Sequence, residues 1–163
     1  MDGSYGITMN YAADLRIYKQ GQVNWDDIIP GNLSLDDVDS EQTEKTTKSD
    51  DDGNYEIYVI PGKYDFYAER QGFLADITTK ITINENDEID LGNKILYEGD
   101  ADRSGIIDLN DTIEIVNSMG ASVGDSTYSE RYDFGQKGYV SLDDMVSVVG
   151  NLYKTIRIEE HTR

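Results

Sequence analysis

Apolar and polar residues alternate along Ala13-Asp14-Leu15-Arg16-Ile17-Tyr18, along Tyr55-Glu56-Ile57-Tyr58-Val59-Ile60 and along Tyr64-Asp65-Phe66-Tyr67-Ala68-Glu69. A period of two puts every second side chain on one face of an extended segment, so each stretch predicts a strand with one side against a core. Residues 77–83 and 89–96 predict two more strands. Turn signals at Asp52-Gly53-Asn54, Pro61-Gly62 and Asn84-Glu85-Asn86-Asp87 separate them, the rhythm of an antiparallel β-sandwich. Between about residues 34 and 52 few positions are apolar, which predicts a long surface loop holding at most one short helical turn.

The period changes after Gly99. Leu109, Ile113, Val116 and Met119 recur at helical spacing and stop at Gly120, and Leu142, Val146, Val149 and Leu152 or Tyr153 repeat the pattern. Setting Leu109-Asn110-Asp111 on Leu142-Asp143-Asp144 gives an offset of 33 residues that also superimposes Ile113 on Val146 and Val116 on Val149. The C-terminal third therefore reads as two loop-helix units. Between them, Ser126-Thr127-Tyr128-Ser129-Glu130-Arg131 carries a cap signal for a short connecting helix.

The residues leading into the first of these helices carry the chemistry. Asp100 to Asp111 is a twelve-residue stretch with oxygen-bearing groups at the positions a calcium loop uses: Asp100, Asp102, Ser104, the Ile106 carbonyl, Asp108 and Asp111. Gly105 stands sixth, where the chain must turn sharply. Agreement at all these positions, with a helix directly after, favours a calcium site over an acidic turn that merely caps a helix. The last ligand is Asp rather than Glu, and no entering helix precedes the loop.

The equivalent stretch of the second unit, Asp133 to Asp144, keeps both end carboxylates and the sixth-position Gly138, with Tyr139 and Ser141 in ligand places. Gly135 offers no side-chain oxygen and Lys137 puts an ammonium where a ligand belongs. This loop is expected to bind calcium weakly or not at all, with the ammonium substituting for the ion beside Asp133 or Asp144.

The formal charge of -19 disfavours nucleic acid and anionic membrane surfaces. The excess is shared: 20 acidic residues stand against 8 basic ones through Tyr97, and 13 against 6 after it. With no Cys there is neither a disulfide framework nor a thiolate site. No apolar run reaches membrane-spanning length, and the opening Met1-Asp2-Gly3-Ser4 looks like the start of a piece of something larger. His161 is the only histidine and no nucleophile-base set accompanies it, so an enzyme is not expected. Asp36-Asp37 and Asp50-Asp51-Asp52 lack alternate-position spacing and read as solvated turns, and Trp25 reads as an apolar anchor.

The repeat from Gly99 to about Tyr153, with Gly-Asp-Ala-Asp-Arg-Ser-Gly-Ile-Ile-Asp-Leu-Asn-Asp in its first half and Gly-Tyr-Val-Ser-Leu-Asp-Asp in its second, resembles a dockerin, the calcium-dependent module of cellulosomes. The preceding segment, with Asp52-Gly53-Asn54-Tyr55-Glu56-Ile57, Ile60-Pro61-Gly62-Lys63-Tyr64 and Gly72-Phe73-Leu74, resembles the immunoglobulin-like X module that adjoins type II dockerins in scaffoldins. The resemblance implies two modules. Residues 1–97 would form an all-β immunoglobulin-like sandwich and residues 98–163 a small all-α dockerin with two calcium-loop-helix repeats.

It further implies a secreted, non-catalytic adaptor that docks onto a cohesin with help from the X module, at a cellulosome or a bacterial cell surface. Leu109, Asn110 and Asn117 of the first repeat and Leu142, Asp143 and Met145 of the second would meet the partner. The divergence of the repeats at Asn110 against Asp143 favours one docking orientation. Other readings stay open: a calcium-stabilised adhesion or pilin-like domain, or a carbohydrate-binding β module.

Overall fold

The computed structural model describes residues 12–28, 36, 43–50 and 52–162. Its framework is one five-stranded sheet: β1 (Asp14–Lys19), β2 (Lys45–Lys48), β3 (Gly62–Glu69), β4 (Asp76–Ile83) and β5 (Arg157–Glu160), in the order β2-β1-β3-β4-β5. All neighbours are antiparallel except β4 and β5, which run parallel. The alternation in β1 buries Leu15 and Ile17 against one face, while β3 is buried along nearly its whole length by residues packed on both sides. Tyr18, Tyr64, Phe66 and Tyr67 are fully enclosed, and a side chain the size of Phe66 contributes roughly 1.5–3 kcal/mol by leaving water. Trp25, on a single turn of 3-10 helix (Trp25–Asp27), stacks on Tyr67 and donates its indole N–H to Asp65 Oδ2 at 3.1 Å, as an anchor should.

The expected division into an all-β immunoglobulin-like sandwich and an all-α dockerin is not what forms. The described residues build a mostly β unit with two short helices, α1 (Leu109–Asn117) and α2 (Leu142–Gly150). Each helix has nine residues, too few to enclose a core of its own. Ile107, Ile115, Phe134, Val140, Val148 and Ile156 instead join Ile28, Phe73, Leu74 and the sheet residues in a single apolar cluster. The chain then returns from α2 to the sheet as β5, covering the edge of β4, and the His161 amide continues the contact by donating to the Thr79 carbonyl.

No second sheet is found among the described residues. Residues 55–60 and 89–96 belong to no strand ladder, and the second segment turns at Gly92, whose φ is +68. Tyr55, Ile57 and Val59 are half-buried while Glu56, Tyr58 and Ile60 face outward, so the period-two signal was right about faces and wrong about pairing. A cleft of about 940 Å³ lies between the two segments, floored by Ile17, Phe66, Ile81 and Ile83.

Much of the predicted 34–52 loop lies outside the described residues, but its end forms β2, whose Lys-Thr-Thr-Lys sequence carries no apolar signal. Pairing with β1 holds it there, because backbone hydrogen bonds do not require an apolar side chain. The expected connecting helix at 126–131 is a series of turns.

Candidate metal centre and its neighbouring helices

Asp100 lies at the bottom of its loop with no solvent exposure, and both its oxygens accept from the Gly105 amide, at 3.3 and 3.2 Å. Gly105 has φ +83, and a Cβ there would stand 2.8 Å from Ile28 Cγ2. Glycine at the sixth position thus serves the turn and lets the loop press onto the core. Asp111 is also fully buried, accepting from the Asp102 amide at 3.1 Å and the Asp108 amide at 2.7 Å. Asp102 accepts from the Ser104 amide at 2.9 Å, and the Ser104 hydroxyl donates to the Ile106 carbonyl at 3.0 Å.

Among the described residues, Asp100, Asp102 and Asp111 form the one group of three acidic or imidazole side chains whose ligand atoms all come within 4.8 Å of one another. Asp108 is not in it. Its carboxylate caps α1, accepting from the Asn110 amide at 2.7 Å, while Asp111 closes the reciprocal half of the capping box. Burial first, and then the charge of Asp111, push Asp100 up to about 8. Burial raises Asp111 to about 6 despite the amides it accepts from. Three carboxylates this close repel when ionised, and an all-oxygen donor set of this kind fits a hard divalent cation.

The second loop is closed by internal groups. Asp133 accepts from the Lys137 amide at 2.9 Å, the Gly138 amide at 2.7 Å and the Tyr128 hydroxyl at 3.0 Å. Asp144 accepts from the Phe134 amide at 3.0 Å and from the Ser141 amide and hydroxyl at 2.8 and 2.9 Å. The Lys137 ammonium donates to Ser141 Oγ at 2.7 Å and Asp143 at 3.1 Å, with Asp144 at 3.9 Å. The cation therefore sits beside Asp144, as expected, with Asp143 as its nearer carboxylate. Tyr139 contributes its backbone to a bridge with Ser122.

The internal repeat is visible in the contacts. Ile107 exchanges backbone hydrogen bonds with Tyr153 and Lys154, and Val140, its equivalent at an offset of 33, does so with Gly120 and Ala121. Each loop is thus braced by the segment that follows the opposite helix. The junction with the sheet is equally tight: Asn151 donates to the Glu98 carbonyl and Ser147 to its carboxylate, both at 2.8 Å. A Cβ on Gly72 would stand 2.3 Å from the Arg131 carbonyl. Arg103, fourth in the first loop at φ +61, reaches back to Glu69 at 2.7 Å and Asp36 at 2.6 Å.

The helical apolar stripe faces solvent. Leu109 is 63% exposed, Val116 51%, Leu142 66% and Val149 51%, and Ile113, Val146 and Tyr153 lie with them. Because Asp111 and Asp144 must point into their loops, the residues one turn on, Ile115 and Val148, are the ones buried. Of the residues expected to meet a partner, Leu109, Asn110, Asn117, Leu142 and Asp143 are exposed, whereas Met145 is half-buried against the core. Ile113, Val116, Val146 and Val149, outside that set, are exposed beside it, and the inward direction of the last loop carboxylate is the sequence signal for their exposure.

No family model and no curated protein matches this chain. Chains of solved structures do. One, from a crystal structure of a C-terminal interface mutant of a type II cohesin–X-dockerin complex from Acetivibrio cellulolyticus, is 21% identical with a TM-score of 0.58, covering 88% of this chain and 83% of that one. Another, from the N-terminal interface mutant of such a complex from the same organism, is 21% identical with a TM-score of 0.54, covering 86% and 95%. This chain is thus similar in fold, over most of its length, to chains of type II cohesin–X-dockerin complexes.

Proposed function

We propose that this chain is a non-catalytic adaptor that takes one calcium ion in the Asp100–Asp111 loop and docks onto a cohesin through the exposed face of α1 and α2, outside the cell at a cellulosome or cell surface. The observation that carries the reading is the placement of the buried acidic cluster at the start of a helix whose apolar residues face solvent. Calcium would hold Asp100, Asp102 and Asp111 together, which fixes the loop, and the loop sets the start of α1. Ser104 and the Ile106 carbonyl complete the oxygen set, with Asp108 reached through water as ninth-position groups often are. Recognition is assigned to residues 98–163, with residues 1–97 as support. The fold likeness to chains of cohesin–X-dockerin complexes agrees with this assignment.

The test is calorimetric titration of a type II cohesin into the full chain, with calcium and with chelator. Binding is expected only with calcium; capture that survives chelation, or none in either condition, overturns the reading. Val116→Arg combined with Val149→Arg should weaken that binding by at least about 100-fold, because large desolvated side chains carry most of an interface's energy. The unfolding midpoint should stay unchanged, since both residues are already exposed.

The Lys137 contacts support a stoichiometry of one. Direct calcium titration should give a single site, and Lys137→Asp should add a second, weaker one by exchanging an ammonium for a ligand. Two tight sites in the unaltered chain would refute the internal-cation role of Lys137.

A further inference from the structure

Away from the loops, a second cluster of charged groups lies under the β4–β5 edge. Lys94, from the irregular 89–96 segment, has only 6% of its side chain exposed, and Asp76, the first residue of β4, has none. The Lys94 Nζ stands 3.6 Å from Asp76 Oδ1, 3.3 Å from Glu159 Oε1 and 2.6 Å from Thr78 Oγ1, with the Phe66 ring 5.9 Å away. Neither Asp76 oxygen is held at ordinary hydrogen-bond geometry. The parallel register sets Arg157 opposite Asp76 and Glu159 opposite Thr78, and Arg157 Nη1 lies 3.8 Å from Asp76 Oδ2. An amine and a carboxyl group closed to water therefore meet a second carboxylate, Glu159, which with Arg157 reaches the solvent side of the site.

We propose that Lys94 and Asp76 condense after folding into an intramolecular amide between Lys94 Nζ and Asp76 Cγ, with Glu159 carrying the protons. Glu159 accepts a proton from the Lys94 ammonium, and the free amine adds to Cγ of Asp76 in its acid form. The C–N bond forms, Glu159 passes its proton to the departing hydroxyl as one C–O bond breaks, and it then takes the second proton from the new amide nitrogen and releases it to solvent, so that one water and one proton leave and nothing is oxidised or reduced. Arg157 faces the oxygen that gains charge during addition.

Environment separates the two carboxyls as this division of labour needs. Burial raises Asp76, with Lys94, Arg157 and the Ile95 amide pulling the other way, while the hydrogen bond from Arg157 holds Glu159 below its ordinary value. Holding amine and acid together replaces an encounter in solution, and the burial of the two reacting side chains, Lys94 and Asp76, favours condensation over hydrolysis of the bond between them.

The topology gives the bond a purpose. Residues 89–96 lie over the sheet without a strand ladder among the described residues, and the amide would tie this segment to β4. Glu159 and Arg157 arrive only when β5 docks, so the tie forms after the C-terminal strand is in place.

Intact-mass measurement of the purified full chain, denatured just before analysis, tests the proposal. The expected mass is below the sequence mass by one water, and fragmentation should find a branched peptide joining the segments that contain Asp76 and Lys94. Lys94→Arg should restore the full sequence mass. Glu159→Gln should slow the loss by at least about 100-fold, the usual worth of a positioned proton carrier, with circular dichroism showing that the variant folds. A full sequence mass in the folded, unaltered chain after days of incubation overturns the proposal, as does a loss mapped elsewhere, such as a succinimide at Asp52-Gly53. Formation at an unaltered rate in Glu159→Gln overturns the role given to Glu159.

Discussion

Calcium added to the chelated chain is expected to raise its unfolding temperature, with a larger rise at about pH 8 than at about pH 5. The sign follows from Asp100 and Asp111. Their carboxyls titrate near 3.8 when exposed but are raised to about 8 and about 6 in the folded chain. Between those limits the folded state holds more protons than the unfolded one, so without calcium these groups lose stability as pH climbs through the window.

Calcium needs the same carboxylates ionised, so its binding releases protons and tightens over the same range. The gap between the calcium and chelator curves must therefore widen with pH. Free calcium at 100 times its dissociation constant would add about 2.7 kcal/mol, roughly 5–10 °C for a chain of this size. Scanning calorimetry at two pH values, with Asp111→Asn as control, decides it. A midpoint indifferent to chelator, or a calcium response that survives Asp111→Asn, would sink the assignment.

The second large effect is expected at Arg103. Replacing it with alanine should cost about 3–5 kcal/mol, the usual penalty for breaking a buried ion pair by removing one partner. Both partners are enclosed, with 8% of the Arg103 side chain and 7% of the Glu69 side chain exposed. Glu69 also receives Arg16 at 2.5 Å and the Tyr67 hydroxyl at 2.7 Å. Deleting Arg103 therefore leaves a buried carboxylate under-compensated and frees Asp36 from its 2.6 Å contact.

Urea unfolding of Arg103→Ala, Glu69→Gln and the double variant isolates the coupling, which should exceed about 1 kcal/mol if the pair acts as a unit. Because Arg103 belongs to the acidic loop, its loss should also weaken calcium binding while the cluster itself stays intact. Stability within about 0.5 kcal/mol of the unaltered chain would show that the strut is dispensable.

Strands β1, β3 and β4 were legible because their alternation combines with β-branched and aromatic residues, and both helices because apolar residues recur at helical spacing directly after the acidic loops. Strand β2 could not be read from Lys45-Thr46-Thr47-Lys48, nor β5 from Arg157-Ile158-Glu159-Glu160, since each is held by pairing to an edge that lies far away along the chain. Residues 55–60 show the opposite case, with clear alternation and no strand ladder. Alternation reports which face is covered, not whether a neighbouring backbone is present.

The sequence by itself determined the spacing of Asp100, Asp102 and Asp111, the glycine turn between them, the 33-residue repeat and the substitution of Lys137 in the second loop. Each loop feature depends on residues within a dozen positions of one another, where covalent geometry leaves few choices, and the repeat is the comparison of two such stretches. Only the tertiary structure decided that the helical pair shares its core with the sheet, that Arg103 anchors the loop to Glu69, that the apolar stripe faces solvent and that Lys94 lies beside Asp76 and Glu159. Each of these joins segments far apart in sequence, and such contacts depend on how helices too short to stand alone find cover in a shared apolar cluster and on how the returning chain covers a sheet edge.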